Sequence, residues 1–143
     1  YRYTFHVARY ADPRTRRFVH RVPHAPDLGL MRRAAAHLVG RRDFAGFQKS
    51  GSPRDTTVRT LARLDLAAEG DYIHVDLVGD GFLYGMARNL AGTLLRAGQS
   101  RLDPDSLPAA LASRDRSAAG PLLPARGLTL MAVLYGHDTG GDA

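Results

Sequence analysis

Two runs in the middle of the chain, Thr56 to Ala68 (TTVRTLARLDLAA) and Asp71 to Gly79 (DYIHVDLVG), alternate apolar with polar residues, and only Glu69-Gly70 lies between them. Alternation at period two places every second side chain on one face of an extended strand, and so short a gap ending in glycine lets the chain reverse sharply. The spacing predicts a β-hairpin with one apolar face. Such a face needs a cover, so the rest of the chain has to supply further strands and at least one layer of helix.

The flanking segments supply both. Tyr1 to Tyr10 (YRYTFHVARY) alternates aromatic and β-branched residues with polar ones and reads as a strand. A basic, proline-bearing loop follows and ends at Asp27, which is placed to cap a helix over Leu28 to Val39, closed by Gly40 and carrying Leu30, Met31, Ala34, Ala35 and Leu38 as its buried stripe. DFAGFQKSGSPRD reads as a turn and a Gly/Ser/Pro loop. After the hairpin come a helix over Phe82 to Gly98, a short helix around Ser106 to Ser113, and a last strand over Gly127 to Tyr135. The order β-α-β-β-α-β predicts an α+β, ferredoxin-like domain over residues 1–136, an antiparallel sheet with its helices on one face, and a disordered tail over residues 137–143. A length of 143 residues suits one such domain.

One residue in the second helix stands out. At about 100° per residue, Leu83, Met86, Ala87, Leu90 and Leu94 fall within about 50° of one direction and form a core stripe, whereas Arg88 lies roughly 140° from Leu83, beside Tyr84, Ala91, Gly92 and Leu95. Phe82 to Gly98 contains no Asp or Glu. A half-buried guanidinium needs a partner of matching geometry, so Arg88 either reaches water or answers a carboxylate from elsewhere. Gly85 and Gly92 on that flank permit a backbone or a ligand to come close.

Charge adds a partner class. There are 20 basic residues against 14 acidic, a net charge of +6, and Lys49 is the sole lysine. Arginine's planar fork suits phosphate and stacks on bases, which fits RNA, although Ala-, Arg- and Gly-rich composition also follows from a GC-rich genome. Without cysteine there is no disulfide, thiolate metal site or Cys nucleophile, and no run of about 18 apolar residues is present to span a membrane. The expected location is the cytoplasm. The chain opens on Tyr1, directly in a strand-like run, which points to a further segment upstream.

Several blocks resemble one family. GDGFLYGMARNLAGTLLRAGQ (Gly79 to Gln99) resembles the Phe-x-x-x-Met-x-Arg-Asn-x-x-Gly segment of the tRNA pseudouridine synthase A family. Tyr1-Arg2-Tyr3 is similar to its Tyr-x-Tyr strand, Asp43-Phe44-Ala45-Gly46-Phe47 to its Asp-Phe-x-x-Phe turn, and Thr57-Val58-Arg59 to its Thr-x-Arg strand. Pro124-Ala125-Arg126-Gly127-Leu128-Thr129-Leu130 is similar to its closing Pro-Ala-x-Gly-Leu-x-Leu motif.

The resemblance implies roles. Arg88 would be catalytic, pairing with the catalytic aspartate and holding the site open for a flipped base. Tyr1 would stack on the target uracil, Leu128 would line the apolar side of the pocket, and Phe82 and Met86 would complete the substrate-binding set. A uridine must leave its stack to change from an N- to a C-glycoside, and an aromatic face replaces the lost stacking. No cofactor or metal is implied; tRNA, a homodimer and no membrane are. The family's nucleophile lies in a Gly-Arg-Thr-Asp-x-Gly-Val-His motif of the N-terminal half, and that string does not occur in this chain. The resemblance is thus to the C-terminal half, with the N-terminal half of the same enzyme as its partner and with isomerisation not expected from this chain alone.

Outside the pocket, Arg14, Arg16, Arg17 and Arg21, together with Lys49 and Arg54, form basic loops suited to RNA phosphates. The six histidines show no metal-ligand spacing. Asp76 and Asp80 read as the solvent face and exit turn of a strand, not as an acid/base pair. The alternative is a stand-alone ferredoxin-like RNA-binding module, which the absence of an RNP-like Gly-Phe-x-Phe string disfavours.

Overall fold

The computed structural model describes residues 1–49 and 56–132. Arg54, the C-terminal part of the last expected strand and the expected tail lie outside the described residues.

The hairpin forms from β4 (Val58–Glu69) and β5 (Tyr72–Gly79). Glu69 pairs with Tyr72, so the reversal sits at Gly70-Asp71, one residue later than the alternation placed it, and Gly70 takes the left-handed conformation there at φ +57°. β1 (Arg2–Val7) lies antiparallel beside β5, and β6 (Leu128–Thr129) pairs antiparallel with the start of β1.

Two strands occupy segments not expected to be extended, one read as a loop and the other running from the glycine that closes the first helix to the start of a turn. β2 (His20–Val22) runs parallel to the end of β1, and β3 (Gly40–Asp43) pairs with β4, which makes the sheet mixed, in the order β2-β1-β5-β4-β3 with β6 also on β1. Neither carries an apolar alternation: His-Arg-Val and Gly-Arg-Arg-Asp are strands because a neighbour offers them backbone partners, which local pattern does not record. Among the described residues the last strand is short: Leu130, Met131 and Ala132 follow β6 without pairing.

α1 (Leu28–Leu38) starts where Asp27 accepts from the Leu30 N–H at 3.1 Å. Met31, Ala34, Ala35 and Leu38 are buried and Leu30 is half-buried at the edge of the stripe. α2 (Met86–Gly98) starts four residues after Phe82, because Gly85 at φ +74° ends the preceding turn in a conformation that L side chains rarely adopt. α3 (Leu107–Ser113) is the short third helix.

Tyr3, Phe5, Ile73, Val75 and Leu77 share one sheet face and join Met31, Leu38, Leu90 and Leu94 of the helices in a single core. The opposite face carries Arg2, Thr4, His74 and Asp76, tied together by Arg2 Nε–Asp76 at 2.7 Å and Thr4–His74 at 3.2 Å. Asp80 accepts from the Thr60 N–H at 2.9 Å in the exit turn.

Candidate active site

α2 is buried on almost every side because an extended segment crosses it. A Cβ on Gly92 would stand 2.0 Å from the Pro121 carbonyl oxygen, and one on Gly120 2.5 Å from the Thr93 nitrogen, so only a pair of glycines allows the two backbones to meet. The Gly120 N–H donates to the Thr93 hydroxyl at 2.8 Å, and that hydroxyl donates to the Asn89 carbonyl at 2.8 Å. The crossing carries the Leu123 carbonyl to Arg88, whose Nε donates to it at 2.7 Å.

The next residues close the site. The Tyr3 hydroxyl donates to the Pro124 carbonyl at 2.7 Å, and Gly127 lies so close to the Tyr3 ring that a Cβ would approach it to 2.6 Å. Burial pushes the Tyr3 phenol above its ordinary value, while the nearby charges of Arg126 and Arg88 act in the opposite sense. A tight turn over Ala125–Gly127 then delivers Leu128 to β6, beside Tyr3 of β1.

Tyr1, Phe82, Tyr84, Arg88, Ala125 and Leu128 thereby line one cavity of about 430 Å³. The Leu77 N–H donates to the Tyr1 carbonyl at 2.9 Å, and the Tyr1 ring meets Phe82 edge-on, with centroids 5.0 Å apart at 89°. Arg88 is half-buried at the cavity wall, and no carboxylate lies within ion-pair distance of it among the described residues. The site thus holds a charge fixed by a carbonyl and aromatic edges around an apolar space. It lacks an acid.

Of the sequence-selected residues, Tyr1, Phe82, Arg88 and Leu128 come together, whereas Met86 is 1% exposed and faces the core. Lys49 has its ammonium 5.0 Å from the ring centroid of Tyr84, a residue of the cavity wall. Tyr84 and Ala125 line the cavity without having been selected. Tyr84 carried a usable signal, its place on the Arg88 flank of the helical projection; Ala125 carried none, since its position depends on the crossing segment. Asn89, next to Arg88 in sequence, is fully buried and structural: its Nδ2 donates to the Phe47 carbonyl at 2.6 Å and its Oδ1 accepts from Arg116 at 2.5 Å.

A family profile described as "tRNA pseudouridine synthase" matches residues 34–136. The chain belongs to that family. It is 41% identical over 135 residues to the tRNA pseudouridine synthase A of Geotalea daltonii and 42% over 135 residues to that of Moorella thermoacetica, in both cases over 94% of this chain and 55% of the relative. It is 37% identical over 137 residues to tRNA pseudouridine synthase A 1 of Bacillus cereus, over 96% of this chain and 56% of the relative. The chain therefore spans about 55% of the length of the curated relatives it matches. No helix among the described residues is long and apolar enough to cross a membrane.

Proposed function

We propose that this chain supplies the C-terminal half of the uridine site of a tRNA pseudouridine synthase acting on the anticodon stem-loop, and that the nucleophilic aspartate comes from an N-terminal half of the same enzyme. The observation that carries this reading is the cavity itself. Tyr1, Phe82, Arg88 and Leu128 line it together, and Arg88 is oriented there by the Leu123 carbonyl without a carboxylate partner among the described residues.

In this reading Tyr1 stacks on the flipped uracil and Leu128 closes the apolar side. Arg88 holds the incoming aspartate ionised, as a guanidinium beside a carboxylate does. The aspartate carboxylate attacks C1′ of the ribose as the C1′–N1 bond breaks. The freed uracil turns, its C5 displaces the carboxylate from C1′, and the C5 proton is lost while N1 takes one up, so the aspartate is regenerated; no cofactor or metal enters. The enzyme works in the cytoplasm as a homodimer, and the basic residues Arg14, Arg16, Arg17, Arg21, Lys49 and Arg54 contact tRNA.

Pseudouridine formation on an anticodon stem-loop transcript tests the reading, with the 143-residue chain alone and then with the family's N-terminal half added in trans. Turnover is expected only after the addition. Turnover by the chain alone, or none after the addition with RNA binding retained, would overturn it, the latter in favour of a binding module.

A further inference from the structure

A second cavity, of about 490 Å³, lies beside the first and is lined by His6, Asp12, Arg16, Arg17, Arg21 and Arg126. Four arginines around one concavity repel one another unless an anion joins them. Asp12 does not serve: its carboxylate is taken by Arg14, which donates through its backbone N–H at 2.9 Å and through its guanidinium at 3.0 Å. Arg21 donates to the Ala8 and Arg9 carbonyls at 3.2 and 3.1 Å, and Arg126 donates to the Val19 carbonyl at 3.2 Å, so both charges are held in place by backbone. Arg16 and Arg17 are exposed and have no acidic partner among the described residues. His6 forms part of the wall, is 7% exposed and stacks on Tyr72 at 4.6 Å, yet its Nδ1 is buried with no hydrogen-bond partner among the described residues. Burial, and then the charges of Arg126 and Arg21, hold the neighbouring His20 below its ordinary value.

Placement bears on what such an anion would be. The turn over Ala125–Gly127 gives Ala125 to the first cavity and Arg126 to the second, so the two open on either side of one turn. Tyr10 and Phe18, at the two ends of the loop that bears Arg16 and Arg17, are 76% and 67% exposed and offer faces on which unstacked bases can rest. We infer that the second cavity is a phosphate pocket, which Arg16, Arg17 and Arg126 close around a single backbone phosphate of the same RNA strand whose uridine occupies the first cavity. The pocket rests on the tRNA reading above and sharpens it: a phosphate seated there fixes the strand's register relative to Arg88.

Counterion release separates one enclosed phosphate from an open basic surface. Each phosphate neutralised contributes roughly 0.7 to 0.9 to the slope of log affinity against log salt. Binding of a fluorescent anticodon stem-loop transcript to the full 143-residue chain is measured against KCl concentration for the wild type, R16Q/R17Q and R16Q/R17Q/R126Q. The double variant leaves the Arg126–Val19 hydrogen bond intact and guards against misfolding of the triple. The expected result is affinity lowered by about tenfold at low salt and a slope smaller by about one in both variants. A slope smaller by two or three, an unchanged slope, or no RNA binding by the wild type would overturn the inference. A thermal melt with added inorganic phosphate distinguishes the sources: phosphate stabilisation lost in the variants while their RNA slope is unchanged would assign the pocket to a free anion. Isomerisation in trans with an unchanged slope sinks this inference alone. A reduced slope without isomerisation sinks the catalytic reading and leaves the pocket standing.

Discussion

α1 and α2 pack against the same sheet face, yet Arg33 of α1 and Arg88 of α2 are treated in opposite ways, while Arg32 of α1 donates to the Leu66 carbonyl at 3.2 Å from an exposed position. α1 buries one stripe and turns Arg33 and His37 to the surface, where both meet Asp105, His37 at 3.1 Å. Every residue of α2 except Arg88 and Arg96 is buried, and Arg88 has a backbone carbonyl where Arg33 has a carboxylate. An arginine whose charge is matched in solvent decorates a fold. One that is oriented by a carbonyl at a cavity wall, with no counter-ion among the described residues, remains available to a partner.

That contrast can be broken by substitution. The largest loss is expected at Asn89→Ala on α2. It strands the buried Phe47 carbonyl and removes the partner of Arg116, and costs about 2–4 kcal/mol in urea unfolding. Arg88→Met removes one charged hydrogen bond at the cavity wall, so the expected stability loss is smaller, about 1–2 kcal/mol, with loss of pseudouridine formation in the reconstituted assay. Arg33→Ala should change stability by no more than about 0.5 kcal/mol and leave that activity intact, since its partner is exposed. Equal stability losses at Arg88 and Arg33, or equal losses of activity, would erase the distinction.

The smallest effect concerns pH. The hydrogen bond from His37, followed by the charges of Arg33 and His37, holds the Asp105 carboxyl below its ordinary value of 3.8. A carboxyl with a depressed folded value stabilises above its unfolded value and loses that contribution as pH falls through the folded one. Wild type and Asp105→Asn should therefore differ above about pH 4 and converge in more acidic solution, a comparison that acid unfolding followed by circular dichroism checks. Divergence growing below pH 4 would refute the assignment.

Much of this was legible beforehand because it is local. The hairpin, both main helices, the Asp27 cap and the buried Leu83-Met86-Ala87-Leu90-Leu94 stripe follow from periodicity and cap chemistry, and all are present. β2 and β3 were not legible, since a three-residue polar strand exists only through its neighbour's backbone. The start of α2 was misplaced because helical periodicity continues through Phe82 to Gly85, whereas the left-handed backbone at Gly85 interrupts it.

The same division holds for the sites. By itself the sequence determined that Arg88 would lie off the core stripe of an acid-free helix, and that its motifs matched one family's, because both are properties of spacing along a single chain. Only the tertiary structure decided that Tyr1, Arg88 and Leu128 share a cavity, and that Arg126, distant in sequence from Arg16 and Arg17, joins them around another. The reason is steric. Gly92 and Gly120 let two backbones touch, and the segment that crosses there leads into the turn that gives Ala125 to one cavity and Arg126 to the other, a contact that no local pattern encodes.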